Sequence, residues 1–115
     1  VVGIDLLEVD RMAAALERTP GLRDRLFTPG EQAYAEAQAV PARHYAARFC
    51  AKEAVVKALR LDAWDPLDIE VVHTAHGAPE AVLRGPLAGR GPVEVSLTHT
   101  RSAAGAVAMV VGQAR

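Results

Sequence analysis

Residues 42–61 read ARHYAARFCAKEAVVKALRL, and the fold follows from how this stretch is read. Alanine and other helix formers dominate it, and neither glycine nor proline interrupts it. It therefore predicts a long helix over 42–61. Ala47, Cys50, Ala51, Ala54, Val55, Ala58 and Leu59 share one broad face at helical spacing. Most of them are small, so a sheet or a second helix can approach the backbone closely. Cys50 belongs to this face, which reads as core rather than as a nucleophile.

Upstream, Val2, Ile4 and Leu6 alternate with Gly3 and Asp5, the period of a short strand. Beyond Glu8, Met12, Ala15 and Leu16 return to helical spacing until Pro20 and Gly21 stop the run. Thr28-Pro29-Gly30-Glu31 is a helix start, with Thr28 as cap, Pro29 in the first turn and Glu31 closing the capping box. That helix is expected to run toward Gln38. Downstream, strands are expected over 68–74 (Ile69 and Val71 inward), 81–83, 94–98 and 104–111. The turn 76–79 and the glycine- and proline-rich loop 85–92 separate them. The pattern predicts a single α+β domain over residues 1–115, an antiparallel sheet packed against the long helix.

A chain of 115 residues buries only about two thirds of its unfolded surface, so its core is modest and oligomerisation would help it. Half the residues are hydrophobic and only 4% aromatic, so Ala, Val and Leu build that core. The net charge of -1 excludes a global basic field for nucleic acid. Basic residues are nonetheless clustered. Arg11, Arg18, Arg23 and Arg25 stand against Glu17 and Asp24, and Arg43, Arg48, Lys52, Lys57 and Arg60 against Glu53 alone. Such surfaces suit an anionic ligand or an acidic protein partner. One cysteine excludes an intramolecular disulfide. No apolar run reaches membrane-spanning length and no signal-peptide pattern is visible, so a cytoplasmic, membrane-free protein is expected.

Four residues are candidates for chemistry. Asp5 is a carboxylate in an apolar strand, costly unless it meets solvent, a partner or a metal. Glu53 and Lys57, four apart on the long helix, form either a solvated pair or a carboxylate within a basic groove. In the second case Asp5 and Glu53 would supply the one or two carboxylates that Mg²⁺ takes, with phosphates and water completing its shell. His99 ends a strand among Thr98, Thr100, Arg101 and Ser102, either as a surface residue or where a ring could exchange protons or meet phosphate. His44, His73 and His76 compete for attention, but their spacing makes no convincing zinc site. No phosphate-binding glycine loop and no serine nucleophile elbow is present.

Taken together, these pieces resemble the short, holo-acyl-carrier-protein-synthase type of 4'-phosphopantetheinyl transferase. The resemblance rests on Gly3-Ile4-Asp5-Leu6-Leu7-Glu8-Val9-Asp10-Arg11, on Leu26-Phe27-Thr28-Pro29-Gly30-Glu31 with Tyr34, and above all on Ala47-Arg48-Phe49-Cys50-Ala51-Lys52-Glu53-Ala54-Val55-Val56-Lys57-Ala58-Leu59. Asp68-Ile69-Glu70-Val71, Gly77 with Pro79, and Val95-Ser96-Leu97-Thr98-His99-Thr100 complete it. It implies the transferase fold and a Mg²⁺-dependent transfer of 4'-phosphopantetheine from coenzyme A to an acyl carrier protein of fatty-acid or polyketide synthesis. It also implies Asp5 and Glu53 as metal carboxylates and Lys57 at the coenzyme A phosphates. Arg48, Lys52 and His99 would line the coenzyme A site, with Ser96 and Thr98 flanking it. Glu53, or in competition His99, would take the serine proton. Arg11 and Arg18, with Arg25, would meet an acidic carrier-protein helix. A homotrimer with active sites between subunits is implied as well. Arg60-Leu61-Asp62 departs from the glycine-rich turn that often follows in this family, Cys50 from alanine, and Thr98 from serine. A catalytically impaired carrier-binding module and a coenzyme A pyrophosphate hydrolase are the alternatives.

Overall fold

The structure, a computed structural model, describes residues 1–112. The long helix of the sequence reading is α4, Pro41–Leu59, with Pro41 in its first turn. It ends two residues before the expected Leu61 because Arg60 turns into the left-handed region at φ 56°. The turn closes with Arg60 N–H donating to Lys57 O at 3.2 Å and Leu61 N–H to Val56 O at 3.0 Å. This helix-ending geometry favours glycine, so Arg60 performs the turn for which a glycine was expected.

Around α4 the chain runs β1 (Val2–Glu8), α1 (Val9–Arg18), α2 (Leu22–Leu26) and α3 (Pro29–Glu36). After α4 come β2 (Ile69–His73), β3 (Pro79–Leu83), β4 (Val93–His99) and β5 (Ala103–Val110). The short α2 was not expected, and α3 stops at Glu36, before Gln38. Strands β1, β5 and β4 form one antiparallel sheet in that order, and β2 and β3 form a separate hairpin. The expectation of antiparallel strands packed on the long helix holds, with the strands divided between two sheets. Among the described residues no helix is long and apolar enough to cross a membrane.

The inner face of the three-stranded sheet carries small residues. Ala104, Ala106 and Ala108 of β5 are buried and join Cys50, Ala51, Ala54, Val55 and Ala58 in one core. On β1, Gly3 packs so closely that an added Cβ would collide with the Ala54 carbonyl oxygen and come within 2.8 Å of the Ala58 nitrogen. Glycine is required there by approach, not by backbone conformation. Because β1 alternates, Gly3, Asp5 and Leu7 turn toward α4, while Val2, Ile4 and Leu6 turn away and stay exposed. That polarity fixes where Asp5 stands.

Candidate active site

Asp5 therefore faces the helix and not open solvent. Lys57 reaches across from α4, and its Nζ donates to Asp5 Oδ1 at 3.2 Å and to Ile4 O at 2.8 Å. The expected Glu53–Lys57 pair gives way to this one, since the lysine is turned toward β1. Glu53 lies one helical turn earlier on the same side of α4. Burial pushes its carboxyl up, the charge of Asp5 pushes it further, and Lys57 pulls it back down. Two carboxylates with one ammonium leave the group one positive charge short of neutrality. Among the described residues no group of three or more His, Cys, Asp or Glu converges on a metal position. A pair of carboxylate donors fits a hard divalent cation that draws its other ligands from phosphate and water.

Cys50 lies beneath this group. Its thiol is pushed up to about 12, first by burial and then by Asp5, and its Sγ sits 3.6 Å from Ala104 O. It is a core residue, as its place on the helix face indicates.

Lys52 does not face the site. Its side chain is 0% exposed and its ammonium donates to Glu31 Oε1 at 2.9 Å, Pro66 O at 2.7 Å and Ile69 O at 2.6 Å. An ammonium has three hydrogens, and all three are used internally. The expectation that Lys52 lines a coenzyme A site is corrected accordingly: the residue joins α3, α4 and β2. Glu31 completes the joint by accepting from Thr28 N at 2.8 Å and Val71 N at 2.8 Å.

Arg48 is only 2% exposed, so the expected basic groove on α4 narrows to fewer charges. Its guanidinium lies 3.9 Å from the centroid of the Tyr34 ring, Nη2 donates to His73 Nδ1 at 2.8 Å, and buried Nε has no partner. Tyr34 stacks on His73 at 4.3 Å and meets the edge of His44 at 5.8 Å. His44 in turn meets His99 at 5.2 Å. A guanidinium, a phenol and three imidazoles from α3, α4, β2 and β4 thus converge. His44 and His73 were set aside in the sequence because their spacing makes no convincing zinc site, and that spacing carries no trace of a meeting that is purely tertiary.

Ser96 and Thr98 alternate outward on β4, opposite Val107 and Gly105. They share a shallow apolar depression of about 320 Å³ with Ile4, Leu6 and Val107. They lie on the face of the sheet away from Asp5. Arg11 and Arg18 are exposed on α1 and Arg25 on α2. A cavity of about 690 Å³ lies between the hairpin and β4 and is lined by none of the expected site residues.

A family model described as the 4'-phosphopantetheinyl transferase superfamily matches residues 1–108. The holo-(acyl-carrier-protein) synthase of Moorella thermoacetica is 42% identical over 118 residues, covering 94% of this chain and 91% of that protein. Among solved structures, the acyl carrier protein synthase of Mycobacterium tuberculosis is 39% identical at a TM-score of 0.72, covering 93% of this chain and 92% of the other. An ACPS–CoA complex from Chronobacterium ammoniagenes aligns with a TM-score of 0.82 and 28% identity, covering 94% and 93%.

Proposed function

The chain belongs to the 4'-phosphopantetheinyl transferase superfamily, in its holo-acyl-carrier-protein synthase branch, and from that premise we infer how its residues carry the reaction. It transfers 4'-phosphopantetheine from coenzyme A to a serine of an apo acyl carrier protein, leaving adenosine 3',5'-bisphosphate. The observation that carries the assignment of roles is the convergence of Asp5, Glu53 and Lys57 across the β1–α4 contact.

In this reading Asp5 and Glu53 would hold Mg²⁺. When bound, the ion offsets the pyrophosphate charge and withdraws electrons from the phosphorus under attack. The serine oxygen forms a bond to the phosphorus next to pantetheine, and the bond from that phosphorus to the bridging oxygen breaks. Glu53 receives the serine proton. Burial and Asp5 raise its proton affinity, a bound divalent cation would lower it again, and its assignment as acceptor therefore rests on its place beside Asp5 and Lys57. His99, the competitor, stands two positions beyond Leu97, whose partner Ala106 lies opposite Asp5. Lys57, half exposed beside Asp5, meets the charge that develops on the departing bisphosphate. Positioning and charge compensation of this kind suffice for phosphoryl transfer without a covalent enzyme intermediate. His99, exposed at the end of β4, binds the nucleotide end of coenzyme A, joined by Arg48 once that side chain leaves its buried place against Tyr34 and His73, and exposed Arg11, Arg18 and Arg25 meet an acidic helix of the carrier protein.

The working unit in this reading is a homotrimer of one-domain subunits spanning residues 1–115. Ile4 is 70% exposed and Leu6 76%, beside Val2, Val107 and Met109. An apolar strip of this kind on a sheet face is expected at a protein interface. Ser96 and Thr98 belong to that strip, so they reach a site only where subunits meet.

The test is intact-protein mass spectrometry of an apo carrier protein incubated with the enzyme, coenzyme A and Mg²⁺. The expected result is a phosphopantetheine-sized mass gain that disappears on chelation. It should fall at least about 100-fold in rate in Asp5→Ala and Glu53→Ala. Intact transfer by either variant would remove the metal assignment. Free phosphopantetheine without a mass gain would indicate the hydrolase, and no product at all the carrier-binding module.

A further inference from the structure

The histidine cluster at the junction of α3, α4, β2 and β4 has a role beyond contact with the nucleotide. We propose that His44 and His73 make the grip of Arg48 and His99 on the phosphate monoester of coenzyme A proton-linked, so that binding takes up protons at these two rings and tightens as pH falls from about 8 to about 6. This rests on the assignment of Arg48 and His99 to the coenzyme A site.

The geometry supports it atom by atom. Arg48 is permanently protonated, and its Nη2 lies 2.8 Å from His73 Nδ1. His73 Nδ1 must therefore be the acceptor, and the ring is neutral while that bond holds. His44 sits between Tyr34, 5.8 Å away, and the His99 ring, 5.2 Å away. The titratable groups acting on His44 are all basic: the permanent cations Arg48 and Arg43 from α4, and the imidazoles of His99 from β4 and His73 from β2, which repel a proton on His44 only when they carry one themselves. Burial, followed by these basic neighbours, holds His44 below the usual histidine range, and burial with Arg48 does the same to His73. The free cluster is thus short of protons and carries an orphaned donor, the buried Nε of Arg48.

A dianionic phosphate monoester reverses this balance. It offers Arg48 a stronger acceptor than the imidazole, which frees His73 Nδ1 to take a proton. It also offsets the cationic field that keeps His44 neutral. Because the bound state holds more protons than the free state, affinity rises as pH falls, by at most about tenfold per pH unit for each proton taken up. The phosphate itself has a second pKa near about 6, and cationic neighbours pull it down, which releases protons. Net uptake on binding therefore reports the imidazoles and not the ligand.

The experiment is calorimetric titration of the assembled enzyme with coenzyme A and with 3'-dephospho-coenzyme A, between pH 6 and 8, in two buffers of different ionisation heat. Coenzyme A is expected to bind with net proton uptake near pH 7 and to gain about five- to tenfold in affinity from pH 7.5 to 6.5. The dephospho compound should show neither. His44→Phe keeps an aromatic edge against His99, and His73→Asn keeps an acceptor for Arg48. Each should flatten the coenzyme A profile toward that of the dephospho compound. Coenzyme A binding with no uptake, or a slope shared by both ligands, overturns the inference while leaving the transferase reading in place. So does an unchanged slope in the folded variants. Failure of coenzyme A to bind at all overturns both. If the variants do not fold, NMR titration of the histidine rings in the unaltered enzyme decides: His44 and His73 that gain no proton when coenzyme A binds overturn the inference.

Discussion

Lys52 shows what a single residue contributes once its surroundings are known. In the sequence it is one cation in a basic stretch; in the fold it is wholly buried against Glu31 and two backbone carbonyls. Removing one partner of a buried pair leaves the other charge uncompensated. Lys52→Met is therefore expected to cost about 3 kcal/mol in urea unfolding. The folded enzyme should keep the KM for coenzyme A, since this ammonium does not reach the ligand. Glu70 offers a second residue-level check. The Thr28 hydroxyl, at 2.7 Å from its carboxylate, lowers its proton affinity first, against burial, and Arg84 adds to the lowering. A group whose folded pKa lies below its unfolded value of 4.5 stabilises the protein above that value. The contribution is lost as pH falls through the folded pKa. Acid titration of stability below about pH 4.5 should consequently be shallower in Glu70→Gln than in the unaltered chain.

At the scale of elements, the β1–α4 contact does the organising. Asp5 is held where Lys57 and Glu53 can use it because Gly3, two residues earlier, lets the strand lie against the Ala54 carbonyl. Gly3→Ala forces strand and helix apart. It is expected to cost about 2 kcal/mol of stability, read by thermal unfolding, from overpacking alone. Transfer rate should fall as well, because Asp5 rides on the same strand. Most of the elements were legible beforehand, since their signals are local. Strand period, the Thr28–Glu31 capping box and the uninterrupted helix formers of α4 all lie within a few residues of one another. One element and one helix end were not. The five-residue α2 is too short to show a period. The early end of α4 depends on Arg60 accepting a left-handed backbone, a conformation that sequence preference assigns to glycine.

At the scale of the whole molecule, the exposed apolar strip on the sheet is the surface through which the proposed homotrimer would assemble. Leu6→Asp, with a side chain that is 76% exposed in the single chain, should fold normally and sediment as monomer in analytical ultracentrifugation. It should also lose most transfer activity if Ser96 and Thr98 serve a site shared between subunits. The sequence by itself determined the α+β class, the order of the principal elements, the core face of α4 and the family, because each is written in local periodicity or in an ordered run of residue types. Tertiary structure alone decided which way Asp5 points, that Lys57 pairs with it and not with Glu53, and that Lys52 is structural. It also brought Tyr34, His44, Arg48, His73 and His99 together. Those facts depend on side chains from separate elements meeting in space, and burial and electrostatic environment exist only after that meeting has occurred.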